Sequence, residues 1–286
     1  METKLSKRTV LITGASSGFG LRLAQAFHSR GWHVIAGLRD ARTVPRELDG
    51  VTTMQIDLED NDKIAAAVAG VERLDCLINN AGYALTGPFS SYEITQMRRQ
   101  MQVNVLGPAL LTQKLLPALK SCGGRIINIS SLSGETGMPM NTIYCASKHA
   151  VEGFAESLRH ELFPHGVQVA LVEPGGFRTR FASNMEWGTQ EETLDHIDAE
   201  QLAGYRAMRE QMLEAKGRDP ALVVSTVISL AEMKRMPIRT RVGADAHLLR
   251  GIKRWLPENW AMTVLGAAFR RRLSKKRWPN DRCARR

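Results

Sequence analysis

Apolar residues in this chain fall into short unbroken runs separated by longer stretches in which they recur every three to four positions. The runs at 9–13, 33–38, 52–56, 74–79, 125–130 and 167–172 predict strands buried on both faces. The stretches 19–30, 60–69, 92–120 and 142–163 predict amphipathic helices, with Pro108 and Pro117 expected to break the third and Pro164 with Gly166 to end the fourth. Residues 221–231 predict another helix and 239–242 a last strand. Strands alternating with helices in this way imply the α/β class, with a doubly wound parallel sheet covered by helices on both faces. The polar, interrupted segment 177–217 departs from the pattern and is expected to insert a loop and helix pair over a substrate cleft. Residues 1–256 are expected to form one domain. Residues 257–286 should form an amphipathic helix, with Trp260, Val264, Ala268 and Phe269 near one face, and a basic tail.

A chain of 286 residues can bury one substantial core. Its net charge of +10 is concentrated at the end, where residues 270–286 carry nine Lys/Arg against one Asp. Basicity thus belongs to the tail. No aromatic-interleaved basic face accompanies it, and nucleic-acid binding is not expected. Two readings of the tail stay open: a solvated basic end whose helix packs on a subunit neighbour, or a helix lying on an anionic membrane surface. Absence of a secretory apolar segment, and of any 18-residue apolar span, leads to the expectation of a soluble cytoplasmic protein. Cys76, Cys122, Cys145 and Cys283 show neither pairing nor zinc spacing, and are expected reduced.

The candidate chemistry sits between 131 and 148. Tyr144 and Lys148 lie four apart at the start of a predicted helix and so project from one face. A phenol with an ordinary pKa of about 10 is a poor proton carrier at neutral pH, but a nearby ammonium favours the phenolate. Ser131 follows the strand 125–130 and would bring a hydroxyl to its carboxyl end. Upstream, Thr13-Gly14-Ala15-Ser16-Ser17-Gly18-Phe19-Gly20 joins the first strand to a helix. Its glycines allow close approach of a pyrophosphate, and the helix amino end presents free N–H groups to it. The same residues contain the G-x-S-x-G of a nucleophile elbow. An elbow on the first strand, however, leaves too few preceding strands for a hydrolase sheet. His160 and His165 are five apart across Pro164 and imply no metal site. Asn128-Ile-Ser130 is a glycosylation sequon inside a predicted central strand. Met208, Met212, Met233 and Met236 fit core packing or an apolar cleft.

In order along the chain, these motifs resemble those of the short-chain dehydrogenase/reductase family. The loop Thr13 to Gly20 matches T-G-x-x-x-G-x-G, Asp57-Leu58 the acidic adenine contact, and Asn79-Asn80-Ala81-Gly82 the N-N-A-G after the fourth strand. Asn104 stands in the N-V context, Ser131, Tyr144 and Lys148 match the catalytic set, and Pro174, Gly175 and Thr179 match the turn that reaches the nicotinamide amide. The resemblance implies a Rossmann-like sheet and hydride transfer between a nicotinamide cofactor and an alcohol/carbonyl pair. Cofactor contacts would come from Gly14, Ser16, Ser17, Gly18, Phe19, Arg39, Asp57, Leu58, Asn80, Ala81, Gly82, Tyr144, Lys148, Pro174, Gly175 and Thr179. Tyr144 would move the proton, Ser131 hold the substrate oxygen, Lys148 lower the tyrosine pKa, and Asn104 support a water of the relay. An acidic residue ending the second strand would favour NAD(H); Leu38 stands there and Arg39 follows, which favours NADP(H). Asp40 as the ribose partner is the other reading. Residues 139–153 are similar to the 17-beta-hydroxysteroid and retinol dehydrogenase branch, which implies a bulky apolar substrate. By analogy the family also implies a homodimer or homotetramer. A fold-retaining cofactor-binding sensor or scaffold without turnover is the competing class.

Overall fold

A computed structural model describes residues 7–40, 42, 44–177, 179, 181, 184–214 and 218–273, with backbone alone at 212–214 and 268–273. The expectations for Met212, Ala268, Phe269, Cys283 and the basic tail lie outside the described side chains.

Strand β1 (Thr9–Thr13) pairs with β2 (His33–Leu38) on one side and β4 (Cys76–Asn79) on the other. Outside β2 lies β3 (Thr52–Gln55); beyond β4 come β5 (Arg125–Ile129), β6 (Gln168–Pro174) and β7 (Arg239–Val242). All seven strands are parallel, in the order β3-β2-β1-β4-β5-β6-β7. Alternation along each strand assigns the two faces. Val10 and Ile12 of β1 join the core under α1 (Gly18–His28) and α7 (Ala221–Glu232), whereas Leu11 joins the core under α2 (Asn61–Val68), α4 (Gly107–Lys120) and α5 (Thr142–Leu162). The result is a three-layered, Rossmann-like single domain. Chain direction across the sheet reverses between β1 and β4, so their carboxyl ends open a crevice at the switch point where such sheets hold ligands.

The predicted helix over 92–120 divides differently from expectation. Helix α3 (Ile94–Met101) runs into a π turn over Gln102–Leu106, closed by the Gly107 N–H on the Gln102 carbonyl, and α4 follows. Pro108 takes the second position of α4, where a missing N–H is tolerated, and Pro117 sits inside the helix near its end. Gly107 is required here: a Cβ would lie 2.4 Å from the Leu58 carbonyl oxygen. Helix α5 gives way to a short turn and Gly166 at φ +70, as its Pro and Gly predict.

Within the insertion, Glu186–Trp187 pairs with Leu85–Thr86, and one long helix, α6 (His196–Glu214), is described in place of the expected pair. Gly243, at φ 108, turns β7 into α8 (Ala244–Trp255), which the sequence did not reveal; α9 (Glu258–Leu273) packs on α6 and α8.

Candidate active site

The glycine loop is built by packing from below. A Cβ on Gly20 would lie 2.3 Å from the Gly14 carbonyl oxygen, and one on Gly14, at φ +66, would lie 2.9 Å from Ala81 Cα. Thr13 ties the loop to the segment after β4: its Oγ1 accepts the N–H groups of Asn80 and Ala81, both at 3.0 Å, while Asn80 Nδ2 donates to the Thr13 carbonyl at 2.8 Å. Ser17 begins α1, leaving the first-turn amides directed to the crevice. Opposite them, the turn after Pro174 and Gly175 brings Thr179 to 3.7 Å from where a Gly18 Cβ would stand, and Phe177 edges onto the ring of Phe19 at 6.0 Å. Gly175 fits because Asp245 presses on it, holding the Gly176 N–H at 2.8 Å and pairing with Arg218. A cleft walled by helix amides and small residues fits a pyrophosphate-linked dinucleotide.

At the end of β2, Leu38 is buried and Arg39 exposed. Asp40 is gripped by Arg42, whose Nε and Nη2 both donate to it at 2.9 Å, and this pairing holds the carboxyl down at about 2. The strand end therefore carries two guanidinium groups around one neutralised carboxylate. Arg42 was not singled out from the sequence, where it reads as an ordinary turn residue. Beyond β3, the Asp57 carboxylate accepts the Glu59 N–H at 3.1 Å.

Ser131, Tyr144, Lys148 and Asn104 are brought together at the ends of β4 and β5. Tyr144 and Lys148, one turn apart on α5, are buried, with Nζ 5.9 Å from the phenol ring centre. Lys148 Nζ donates to the Ile129 carbonyl at 2.9 Å. The Ser131 hydroxyl stands beside the Tyr144 phenol. Electrostatics here differ from the sequence expectation. Burial pushes Tyr144 up to about 12, against the opposing hydrogen bond from Ser131, and burial pulls Lys148 down to about 8. Desolvation thus outweighs the attraction of ammonium for phenolate in this buried pair. Asn104 sits in the π turn and is held by protein: Nδ2 donates to the Tyr83 carbonyl at 3.0 Å and Ser147 Oγ at 3.1 Å, and Oδ1 accepts the Tyr83 N–H at 3.1 Å. Gly82 is needed beneath it, since a Cβ would stand 3.0 Å from Oδ1.

Above Tyr144 the wall is apolar. Phe181 tilts over its ring at 5.8 Å, and Met140, Trp187, Tyr205 and Met208 pack together at the start of α5. Asn141 joins the wall to the start of α5 through Tyr205, whose hydroxyl accepts from Nδ2 at 2.9 Å. Behind the site lies a buried charge cluster. Glu173 on β6, with no exposed surface, is wedged between Arg239 and Arg241 of β7 at 3.2 and 3.1 Å. Arg239 also pairs with Glu152 at 2.8 Å, and Arg241 with Glu135, which ends the turn carrying Ser131. Burial, with Glu152 and Glu135 nearby, pushes the Glu173 carboxyl up to about 7. The separations in sequence are too long for any spacing motif to have signalled this cluster or the apolar wall.

Residues 8–189 match the profile of the family described as short chain dehydrogenase. The chain belongs to the short-chain dehydrogenase/reductase family. As a member it is an oxidoreductase of alcohol and carbonyl groups that uses a nicotinamide cofactor. This short-chain dehydrogenase is 34% identical over 254 residues to human 17-beta-hydroxysteroid dehydrogenase type 1, covering 82% of this chain and 77% of the relative. It is 32% identical over 271 residues to the 3-ketodihydrosphingosine reductase of Bacteroides thetaiotaomicron, covering 91% and 97%. Among solved structures, a short chain dehydrogenase from Burkholderia cenocepacia in complex with NADP superposes with a TM-score of 0.74 at 25% identity, covering 91% of this chain and 97% of that one.

Proposed function

We propose that this short-chain dehydrogenase interconverts a bulky apolar primary or secondary alcohol and its carbonyl with NADP(H), Tyr144 serving as acid/base. The observation that carries the reading is the Tyr144 phenol standing beside Ser131 and one turn from Lys148, with the Phe181 ring tilted over it and the Met140, Trp187 and Tyr205 cluster at the start of the same helix. Gly14, Ser16, Ser17, Gly18, Phe19, Asp57, Leu58, Asn80, Ala81, Gly82, Pro174, Gly175 and Thr179 would hold the cofactor, with Tyr144 and Lys148 at its nicotinamide end and Arg39 at its adenosine end. When bound, it supplies hydride exchange at the substrate carbon. Arg39 and Arg42 support the preference for a 2′-phosphate, and the engagement of Asp40 by Arg42 argues against that carboxylate as a ribose acceptor. A phenol pushed up to about 12 is loaded with its proton at neutral pH, which suits donation to a carbonyl oxygen in the reductive direction. Ser131 holds and polarises that oxygen. Lys148, still charged below pH of about 8, stabilises the phenolate left behind. Asn104, tying the π turn to α5 and the segment after β4, would support a water of the proton relay.

The relatives' names, a hydroxysteroid dehydrogenase and a ketosphingoid reductase, support a large apolar substrate. Assembly as a homodimer or homotetramer is supported by an apolar groove that includes Ile94, Met97, Met101, Leu106 and Ile143. A cytoplasmic setting is supported by the free thiols of Cys76, Cys122 and Cys145. The test is NADPH oxidation with a panel of steroid ketones, long-chain ketones and aldehydes. Tyr144→Phe is expected to lower kcat by roughly 10²- to 10⁴-fold with NADPH affinity unchanged. If wild type and variant are equally inert while both bind NADPH, the non-catalytic scaffold reading holds instead.

A further inference from the structure

Helices α8 and α9 form a hairpin with two unlike faces. Its inner face, Ala246, Leu249 and Leu265, packs on Leu132 in the turn after Ser131. Its outer face is apolar and exposed: Leu248 is 66% exposed and Trp255 80%, and on α9 Trp260 is 70% exposed, followed by Val264. The placement is regular. Leu248 and Trp255, seven apart, lie on the side of α8 opposite Ala246, and Trp260 and Val264, four apart, share one side of α9. Leu256 at the joining turn is also exposed, so large apolar groups surround the tip of the hairpin. Among them stands exposed Arg254, its guanidinium 5.8 Å from the Trp255 ring centre, whereas the Lys253 ammonium donates to the Glu135 carbonyl.

We infer that the outer face of this hairpin docks in the plane of an anionic lipid bilayer. Exposed tryptophans beside basic side chains are the composition of a segment that rests at the headgroup boundary. The chain after α9 adds Lys275, Lys276, Arg277, Arg282, Arg285 and Arg286, with Trp278 among them and Asp281 as the one acidic residue. An anionic lipid surface complements both the charge of Arg254 on this face and the basic sequence that follows α9. No helix among the described residues is long and apolar enough to cross a membrane. Since α9 also packs on α6, which contributes Tyr205 and Met208 to the apolar wall, the docked face adjoins the substrate side of the molecule. The docking itself does not depend on the catalytic reading.

The experiment is flotation of the full chain, without substrate or cofactor, with vesicles of phosphatidylcholine alone or mixed with phosphatidylserine. The protein is expected to float with the mixed vesicles, to be released by raised salt, and to remain behind with phosphatidylcholine alone. Trp255→Asp with Trp260→Asp should lower the bound fraction by about tenfold or more at an unchanged unfolding midpoint; Trp260→Ser, a milder change, should lower it part of the way. Failure of the wild type to float with anionic vesicles overturns the inference, as does equal flotation of the variants. A sedimenting dimer that the double variant dissociates assigns the face to a second copy, and competition by an oligonucleotide at equal charge assigns the basic end to nucleic acid; either result also overturns it.

Discussion

Lys148 contributes a positive charge to a place that burial makes unfavourable for one. Its pKa falls from 10.5 to about 8, so the folded protein binds fewer protons than the unfolded chain between those values, and its stability rises with pH across that window. Below pH of about 8 the unfavourable burial acts in full. Lys148→Met should therefore abolish turnover without lowering the unfolding midpoint at pH 7, and the wild type should gain on the variant as pH is raised from 8 to 10; parallel melting curves across that range would refute the assignment. At the end of β2 the relevant quantity is selectivity. Arg39→Asp is expected to raise the KM for NADPH by roughly 10- to 100-fold, the worth of one or two charge-assisted hydrogen bonds, with little change for NADH. Equal loss for both cofactors would show that Arg39 reads something other than the 2′-phosphate. The pairing of Tyr144 with Lys148 is legible in the sequence because both lie on one helix, where spacing alone predicts proximity. Arg42 is not, because its meaning comes from its grip on Asp40.

The connecting elements hold a second class of information. The loop between β1 and α1 announces itself through glycine spacing, and the structure supplies the reason: Gly20 packs its backbone on Gly14, and Gly14 on Ala81. Gly20→Ala should destabilise the fold by about 3 kcal/mol, the upper range for overpacking, because the obstructing atom is a backbone oxygen with little freedom to move. The same substitution at Gly137, where a Cβ would meet nothing within 4 Å, is the control and should be nearly neutral in a denaturant titration. The π turn was hidden. Sequence places a polar residue and a proline in a helical stretch, and the expected break falls at the proline. The register change in fact precedes it, at Asn104, whose three hydrogen bonds to Tyr83 and Ser147 stabilise the wider turn.

At the scale of the whole molecule, the alternation of apolar runs and amphipathic stretches was enough to give the parallel sheet and its two helical layers, because each run had to be buried on both sides. It did not bring out α8, although Ala246, Leu249 and Ile252 recur there at helical spacing, because the segment is short and follows directly on a glycine turn; nor did it give the single long helix of the insertion. Nor could it foresee the buried charges that join β6 and β7. Those charges have a bearing on solubility. Strand β7 ends the sheet, and an outermost strand offers unpaired amides to any extended chain that drifts against it. Arg239 and Arg241 place paired charges along that border, held by Glu173 on the adjoining strand, Glu152 and Glu156 on α5 and Glu135, and a strand carrying such inward charges is a poor template for a further one. Replacing both with valine should leave the secondary structure recognisable while producing thioflavin-positive assemblies on mild heating, so the cluster beneath the active site doubles as protection against fibrillar self-association.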